Sequence, residues 1–394
     1  MRVLLLSDWM SNRGGAENYI VSLRDSLRQT GDDTCVVSCG ARASESDEVD
    51  VQAFGSDCTV AQAFLQISNP FAATAVRNAV REFRPDVALV GQFAYHLSPS
   101  VLNALRPIPT VVSMMDYKVI CPLGTKLLPD GSVCGVQAGR VCRDNGCVGT
   151  THWMRDQPRY RRIREGLNGV SRVLCPSEWV RRELASSGID ATTVPLGVRP
   201  PATSFRRAPT RAPTFAYCGR LSREKGVAVL IAAFAKCVAD VPTARLRIVG
   251  DGPLKGELVA LAAVLGVRKS IEFTGWQTAT GVDEALSDVW ALVAPSLWAE
   301  PFGLIAIEAM LRGVPVVASD SGGFRENIDS SESGLLFLPG NVAALTDRLV
   351  SIARRKVFPN HRLEDRVVQR IADMYSMDRH VTRMRQVFSE VTAA

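Results

Sequence analysis

Short apolar runs of strand length alternate with amphipathic segments of helical length along this chain, and the series runs twice. The first series reads "RVLLLSD", "AENYIVSLRDSLRQTG" and "DTCVVSCG", and continues through "DVALVGQ", "TVVSMMD" and "SRVLCPS". The second reads "TFAYCGR", "VAVLIAAFAKCVAD", "RLRIVGDG", "IEFTG", "VWALVAPS" and "PVVASD". Alternation of this kind calls for βα units around a mostly parallel sheet. Between the two series lies "PLGVRPPATSFRRAPTRAP", rich in proline and arginine and without apolar periodicity, which is the composition of a linker. At 394 residues the chain also exceeds what a single core usually serves. The expectation is an α/β protein with one domain over residues 1–198, a linker over 199–212 and a second domain over 213–374. The terminal segment, 375–394, has helical periodicity and can pack back on the first domain.

Composition narrows the function classes. A formal charge of +6 permits an anionic ligand or a membrane surface, but falls short of a nucleic-acid footprint. No stretch reaches about 18 apolar residues, and the apolar run in "MRVLLLSDWM" is too short for a signal peptide, so the expected location is cytoplasmic. In a reducing compartment the ten cysteines are expected to be free thiols or metal ligands rather than disulfides. No repeat of the solenoid type and no low-complexity tract is present.

Three loops at expected strand ends carry the chemistry. "YCGRLSREKGV" places Arg220 and Lys225 between a strand and a helix, where two cations beside a helix N-terminus suit phosphate groups; the same pattern also fits an ordinary solvated loop. "IVGDGPLKGEL" offers Gly250, Asp251 and Gly252 but sets its third glycine one position late for a dinucleotide fingerprint, which leaves a Rossmann oxidoreductase poorly supported. Gly14 and Gly15 follow the first strand, where bare backbone can approach an anion. Finally, "WAEPFGLIAIEAMLRGVPVVASD" puts Glu300 ahead of a glycine turn and Glu308 inside the apolar helix after it. A carboxylate between Ile307 and Ala309 is expensive unless it accepts hydrogen bonds, for example from sugar hydroxyls.

"EPFGLIAIE" resembles the signature of two glutamates, with seven residues between them, of retaining glycosyltransferases of family 4. "GGAE", "GRLSREKG", "GDGP" and "FTGW" follow the order of that family, and the resemblance extends over essentially the whole chain. It implies the GT-B fold, with two Rossmann-like parallel-sheet domains facing each other across an interdomain cleft. It implies that Arg220 and Lys225 hold the donor diphosphate and that Glu300 contacts the transferred sugar. The backbone of Phe302, Gly303 and Leu304 would lie near that sugar's hydroxyls and phosphate, and Glu308 would bind the ribose. Gly15 would close over the diphosphate, and Trp276 with Gln277 would border the base. Such enzymes are usually described as retaining configuration by front-face attack without an enzymic nucleophile, and two cations can serve the leaving group without a metal. UDP is favoured over GDP as the carrier. The acceptor, a hydroxyl on an envelope lipid, a polysaccharide or a natural product, is left open.

The chain departs from the family pattern on the acceptor side. Histidines expected in "LVGQ", Leu89–Gln92, and in "MMDY", Met114–Tyr117, are absent, and Met115 stands at the second position. Asp116 remains as an acceptor contact or, equally, a turn cap, while His96 fits a packed position better than a catalytic one. The missing histidines support an alternative, a nucleotide-sugar-binding or scaffolding protein without transfer. Cys121, Cys134, Cys142 and Cys147 share one glycine-rich loop and are compatible with a structural zinc or with free thiols. The arginine-dense segment 155–182 could meet the inner face of a membrane or form a solvated face with pairs such as Arg161 and Glu165.

Overall fold

The computed structural model describes residues 1–10, 15–39, 49–202 and 205–393. They form two compact units, each built on a parallel sheet.

Unit 1 comprises Met1–Pro129, Cys134–Gly197 and Met377–Ala394. Its strands are β1 (Arg2–Ser7), β2 (Asp33–Cys39), β3 (Val51–Ala53), β4 (Val87–Val90), β5 (Thr110–Ser113), β6 (Arg172–Cys175) and β7 (Thr192–Thr193). They pair in the order β3-β2-β1-β4-β5-β6-β7, every pair parallel. Every residue of β4 and β5 is buried, as befits strands covered on both faces. The terminal helix Met377–Ala393 lies on this unit: the Tyr19 hydroxyl meets Nε2 of His380 at 2.8 Å, and Arg385 donates to Asp32 at 2.8 Å.

Unit 2 comprises Asp130–Val133 and Val198–Ser376. It contains β8 (Thr214–Cys218), β9 (Arg245–Val249), β10 (Ile271–Gly275), β11 (Ala291–Ala294), β12 (Val316–Ser319) and β13 (Gly334–Phe337), in the order β10-β9-β8-β11-β12-β13. The helix Val227–Asp240 buries Val227, Leu230, Ile231 and Phe234, a stripe at helical spacing that packs with Leu345, Leu349 and Ile352 in one core. Residues of the proline-rich stretch are tied to this unit: the Ala208 N–H donates to Ser287 O at 2.8 Å and the Trp290 indole to Thr210 O at 2.9 Å.

Both sheets grow outward from a central strand in one direction and then return to its other side. In unit 1 the reversal lies between β1 and β4, and in unit 2 between β8 and β11. The loops after two such strands diverge, one to each face, and leave a crevice at the strands' carboxyl ends.

Candidate active site

In unit 2 the two loops at the reversal are held by backbone contact that only glycine allows. A Cβ on Gly226, whose φ is +68°, would stand 1.9 Å from the Pro295 carbonyl oxygen, so the loop after β8 lies directly on the loop after β11. A Cβ on Gly250 would meet the Gly219 oxygen at the same 1.9 Å, which packs the loops after β8 and β9 together. The backbone pairs Leu221 N–H to Asp251 O, 2.9 Å, and Leu297 N–H to Glu224 O, 2.8 Å, complete the platform.

On that platform the Lys225 ammonium donates to Glu300 Oε1 at 2.5 Å, across 75 residues of sequence. Ser296 Oγ donates to the same oxygen at 2.7 Å, and Lys225 Nζ lies 4.9 Å from the centroid of the Trp298 ring. Glu300 is buried. Burial alone would raise its pKa, but the charge of Lys225 and the bonds from Lys225 and Ser296 outweigh that, and the carboxyl is held below the usual range. Arg220 is exposed on the same loop, with no ion pair among the described residues. The site therefore presents a guanidinium with no ion pair among the described residues, an ammonium engaged by a carboxylate and a carboxylate kept ionised.

The turn after Glu300 is equally constrained. Gly303 has φ +86° at the start of the helix Leu304–Leu311, and Gly323 N–H donates to Glu300 O at 2.7 Å. Phe302 is buried, and its carbonyl accepts from Asn327 Nδ2 at 2.6 Å, while Asn327 Oδ1 accepts from the Tyr375 hydroxyl at 2.9 Å. Glu308, one face along the helix, is half-buried and has no hydrogen-bonded partner for its carboxylate among the described residues. Burial raises its pKa, with the nearby charge of Arg312 opposing and that of Asp283 adding to the rise. Arg312 is committed elsewhere, to Asp283 Oδ1 at 2.6 Å and to the Glu308 carbonyl at 2.7 Å.

Unit 1 carries a carboxylate at its own reversal. Asp8 follows β1 and accepts three backbone N–H groups from the loop after β4: Tyr95 at 2.8 Å, His96 at 2.8 Å and Leu97 at 2.7 Å. It is fully buried, and desolvation raises its pKa despite those bonds. Beside it a depression is lined by Gly91, Gln92, Tyr95, Met114, Met115 and Asp116. Asp116 accepts the Lys118 N–H at 2.8 Å, and burial raises its pKa against that bond and the Lys118 charge. The Met115 methyl fills the space beside Gly91, where a Cβ would stand 3.0 Å from it.

Two sequence profiles match the chain: Glycosyltransferase Family 4 over residues 13–200, and Glycosyl transferases group 1 over residues 202–366. The chain belongs to the family 4 glycosyltransferases. An uncharacterized glycosyltransferase of Methanocaldococcus jannaschii is 36% identical over 138 residues, 34% of this chain and 35% of that one. The matched segments span about a third to a half of the length of such curated relatives. Among solved structures, a sucrose-phosphate synthase from Thermosynechococcus elongatus superposes with a TM-score of 0.76 at 21% identity, covering 100% of this chain and 99% of that one. The Anabaena protein HepE, in complex with UDP-glucose, superposes with a TM-score of 0.72 at 18% identity, covering 99% and 100%. The fold is GT-B, with two Rossmann-like α/β domains.

Of the residues that the family signature singles out, Lys225, Glu300, Phe302, Gly303 and Leu304 stand together around the crevice between β8 and β11, with Arg220 on the same loop. Gly250 follows β9, packed on the Arg220 loop. Trp276 and Gln277 follow β10, Trp276 45% exposed and Gln277 bonded to Thr274 O at 3.2 Å. Gly15 begins the helix Gly15–Gln29, and Gly14 lies outside the described residues. His96 is buried and stacks edge-on to Trp9 at 5.4 Å. None of the four loop cysteines forms a disulfide, and among the described residues no group of three or more His, Cys, Asp or Glu side chains is arranged to hold a metal. Sequence reasoning missed Asp8, Ser296 and Trp298. The signal for Asp8 was an aspartate closing the first strand in "LLLSD"; Ser296 and Trp298 carried no signal beyond lying near Glu300.

Proposed function

We propose that the protein transfers a sugar from a nucleoside-diphosphate sugar, UDP being the favoured carrier, to a hydroxyl acceptor with retention of configuration. The observation that carries this reading is the Lys225–Glu300 pair at the unit 2 strand reversal, 2.5 Å across, with Arg220, which has no ion pair among the described residues, on the same loop as Lys225. When donor binds, its diphosphate competes for Lys225 and joins Arg220, while Glu300, already ionised, accepts hydrogen bonds from the sugar's hydroxyls. Glu308, half-buried and without a hydrogen-bonded donor among the described residues, suits the two hydroxyls of a ribose.

In the transfer step the bond from the anomeric carbon to the phosphate oxygen breaks, and a bond to the acceptor oxygen forms on the same face. The acceptor's proton passes to the departing phosphate oxygen, and the two cations stabilise the charge that develops there, so neither an enzymic nucleophile nor a metal is required. The relative HepE, in complex with UDP-glucose, supports UDP as the carrier.

The replacement of a family histidine by Met115 favours a second reading, a protein that binds the donor and does not transfer. One experiment separates these readings. Thermal melts with UDP, GDP, ADP, TDP and NAD, each with and without EDTA, are followed by hydrolysis of the matching nucleotide sugar. Stabilisation by UDP that survives EDTA, together with donor turnover, supports transfer. Stabilisation without turnover supports the binding protein, and stabilisation by NAD alone overturns both.

A further inference from the structure

Among the arginines of segment 155–182, Arg159 alone is buried. It lies on the inner face of the helix Thr150–Leu167 with Asp156, Ile163 and Leu167, and none of its surface is exposed. A guanidinium in that position is costly unless something answers its charge. Asp156, its only ion-pair partner among the described residues, stands 3.8 Å away and is bonded instead by Arg155 at 3.0 Å. Neither Nε nor Nη1 of Arg159 has a hydrogen-bonded partner among the described residues.

The hydrogen bonds that Arg159 does make leave its helix. Nη2 donates to Ala94 O and to Lys118 O, each at 3.3 Å. Ala94 belongs to the loop after β4 and Lys118 to the loop after β5, the two loops that line the depression beside Asp8. Each bond leads to a carboxylate. The Ala94 carbonyl shares a peptide group with the Tyr95 N–H, which donates to Asp8 Oδ2 at 2.8 Å, so a single polarised peptide stands between the guanidinium and that buried acid. Lys118, whose carbonyl takes the other bond, donates its own N–H to Asp116 Oδ1 at 2.8 Å, while its ammonium is occupied with Pro122 O at 2.5 Å. Asp116 stays half-exposed in a stretch, Val111 to Ile120, that is otherwise buried.

We propose that Arg159 is a positioning residue for the acceptor: it answers the charge of Asp8 through the Ala94–Tyr95 peptide and, through Lys118, holds the turn that presents Asp116 to an acceptor hydroxyl. The proposal rests on the transfer reading given above. An apolar side chain could fill the same space beside Ile163 without the desolvation cost, whereas only a cation with N–H donors can serve both carbonyls and the carboxylate behind one of them.

Two cycles on the full chain test this. Arg159→Met, Asp8→Asn and the double variant are melted at neutral pH without ligand. The double variant is expected to lose less melting temperature than the two single losses added together, because removing the Asp8 charge leaves Arg159 nothing to answer. Should the Met variant not fold, Arg159→Gln, neutral but with an N–H donor, takes its place in the same cycle. The second cycle follows UDP release from UDP-glucose with glycerol as the acceptor. Arg159→Met and Asp116→Asn are each expected to lower kcat on the order of ten- to hundredfold at an unchanged KM for UDP-glucose, and the double variant to fall no further than the worse single one. The shift in melting temperature produced by UDP stays at the wild-type value in each, since Arg159 makes its bonds within unit 1. Additive losses in the first cycle, multiplied losses in the second, or a raised KM for UDP-glucose would overturn the proposal. A wild-type protein without turnover sinks the transfer reading instead, and the melting cycle then decides the Arg159 relay by itself.

Discussion

Removing the ammonium of Lys225 tests how the site is held before any ligand arrives. Glu300 has a side chain only 9% exposed, against 26% for Lys225, so the variant Lys225→Ala leaves a mostly buried carboxylate that still accepts from Ser296 but has lost its counter-charge. Breaking a fully buried pair costs about 3–5 kcal/mol; the partial exposure of Lys225 screens its charge and reduces the expectation to about 1–3 kcal/mol. In a unit of this size that is a fall in melting temperature of about 2–4 °C per kcal/mol. Replacing Glu300 by Gln as well removes the stranded charge, so the double variant should recover most of the loss. The sign with pH follows from the lowered carboxyl pKa: the pair's contribution is present above the ordinary glutamate range and fades as pH falls through the folded value. The assay is a double-mutant cycle of thermal melts at neutral pH, repeated at mildly acid pH. Strictly additive single variants, or a Lys225→Ala loss that grows as pH falls, would refute the coupling described here.

The other residues make separable predictions. Arg220→Ala should leave the melting temperature unchanged, since the side chain is exposed and has no ion pair among the described residues, yet remove about 2–4 kcal/mol of transition-state stabilisation, read as kcat/KM for the donor. Glu308→Gln should do the opposite to stability: the raised pKa of Glu308 means that its folded-state contribution is present at low pH and lost as pH rises, so the variant should melt higher than wild type at neutral pH and match it in acid. The same variant should bind UDP more weakly by about 1.5–3 kcal/mol, the worth of hydrogen bonds to a charged group, measured by calorimetry. Gly226→Ala, which would force a Cβ to within 1.9 Å of Pro295 O at φ +68°, should cost about 2–4 kcal/mol in chemical denaturation and weaken UDP binding with it.

The family signature made part of this protein legible because it concerns local backbone. A turn such as "PFG" and a loop such as "GRLSREKG" keep their form wherever the fold places them, and the alternation of "RVLLLSD" and its successors determined two parallel α/β domains from the periodicity of apolar residues alone. Sequence also located Lys225 and Glu300 as residues of interest. It could not join them, because their contact depends on β11 returning to the side of β8 after the chain has run out to β10, a matter of strand order. The same holds for Asp8, which acquires its three N–H donors only when β4 is laid beside β1. The exposed apolar side chains of unit 1 are the reverse case. Phe54, Val60, Phe64 and Phe71 look like core residues in a sequence, since hydrophobicity reports the tendency to be buried and not the supply of neighbours to bury against. Only the tertiary structure, by leaving no residue of the helix Thr59–Leu65 buried, decided that these side chains face outward.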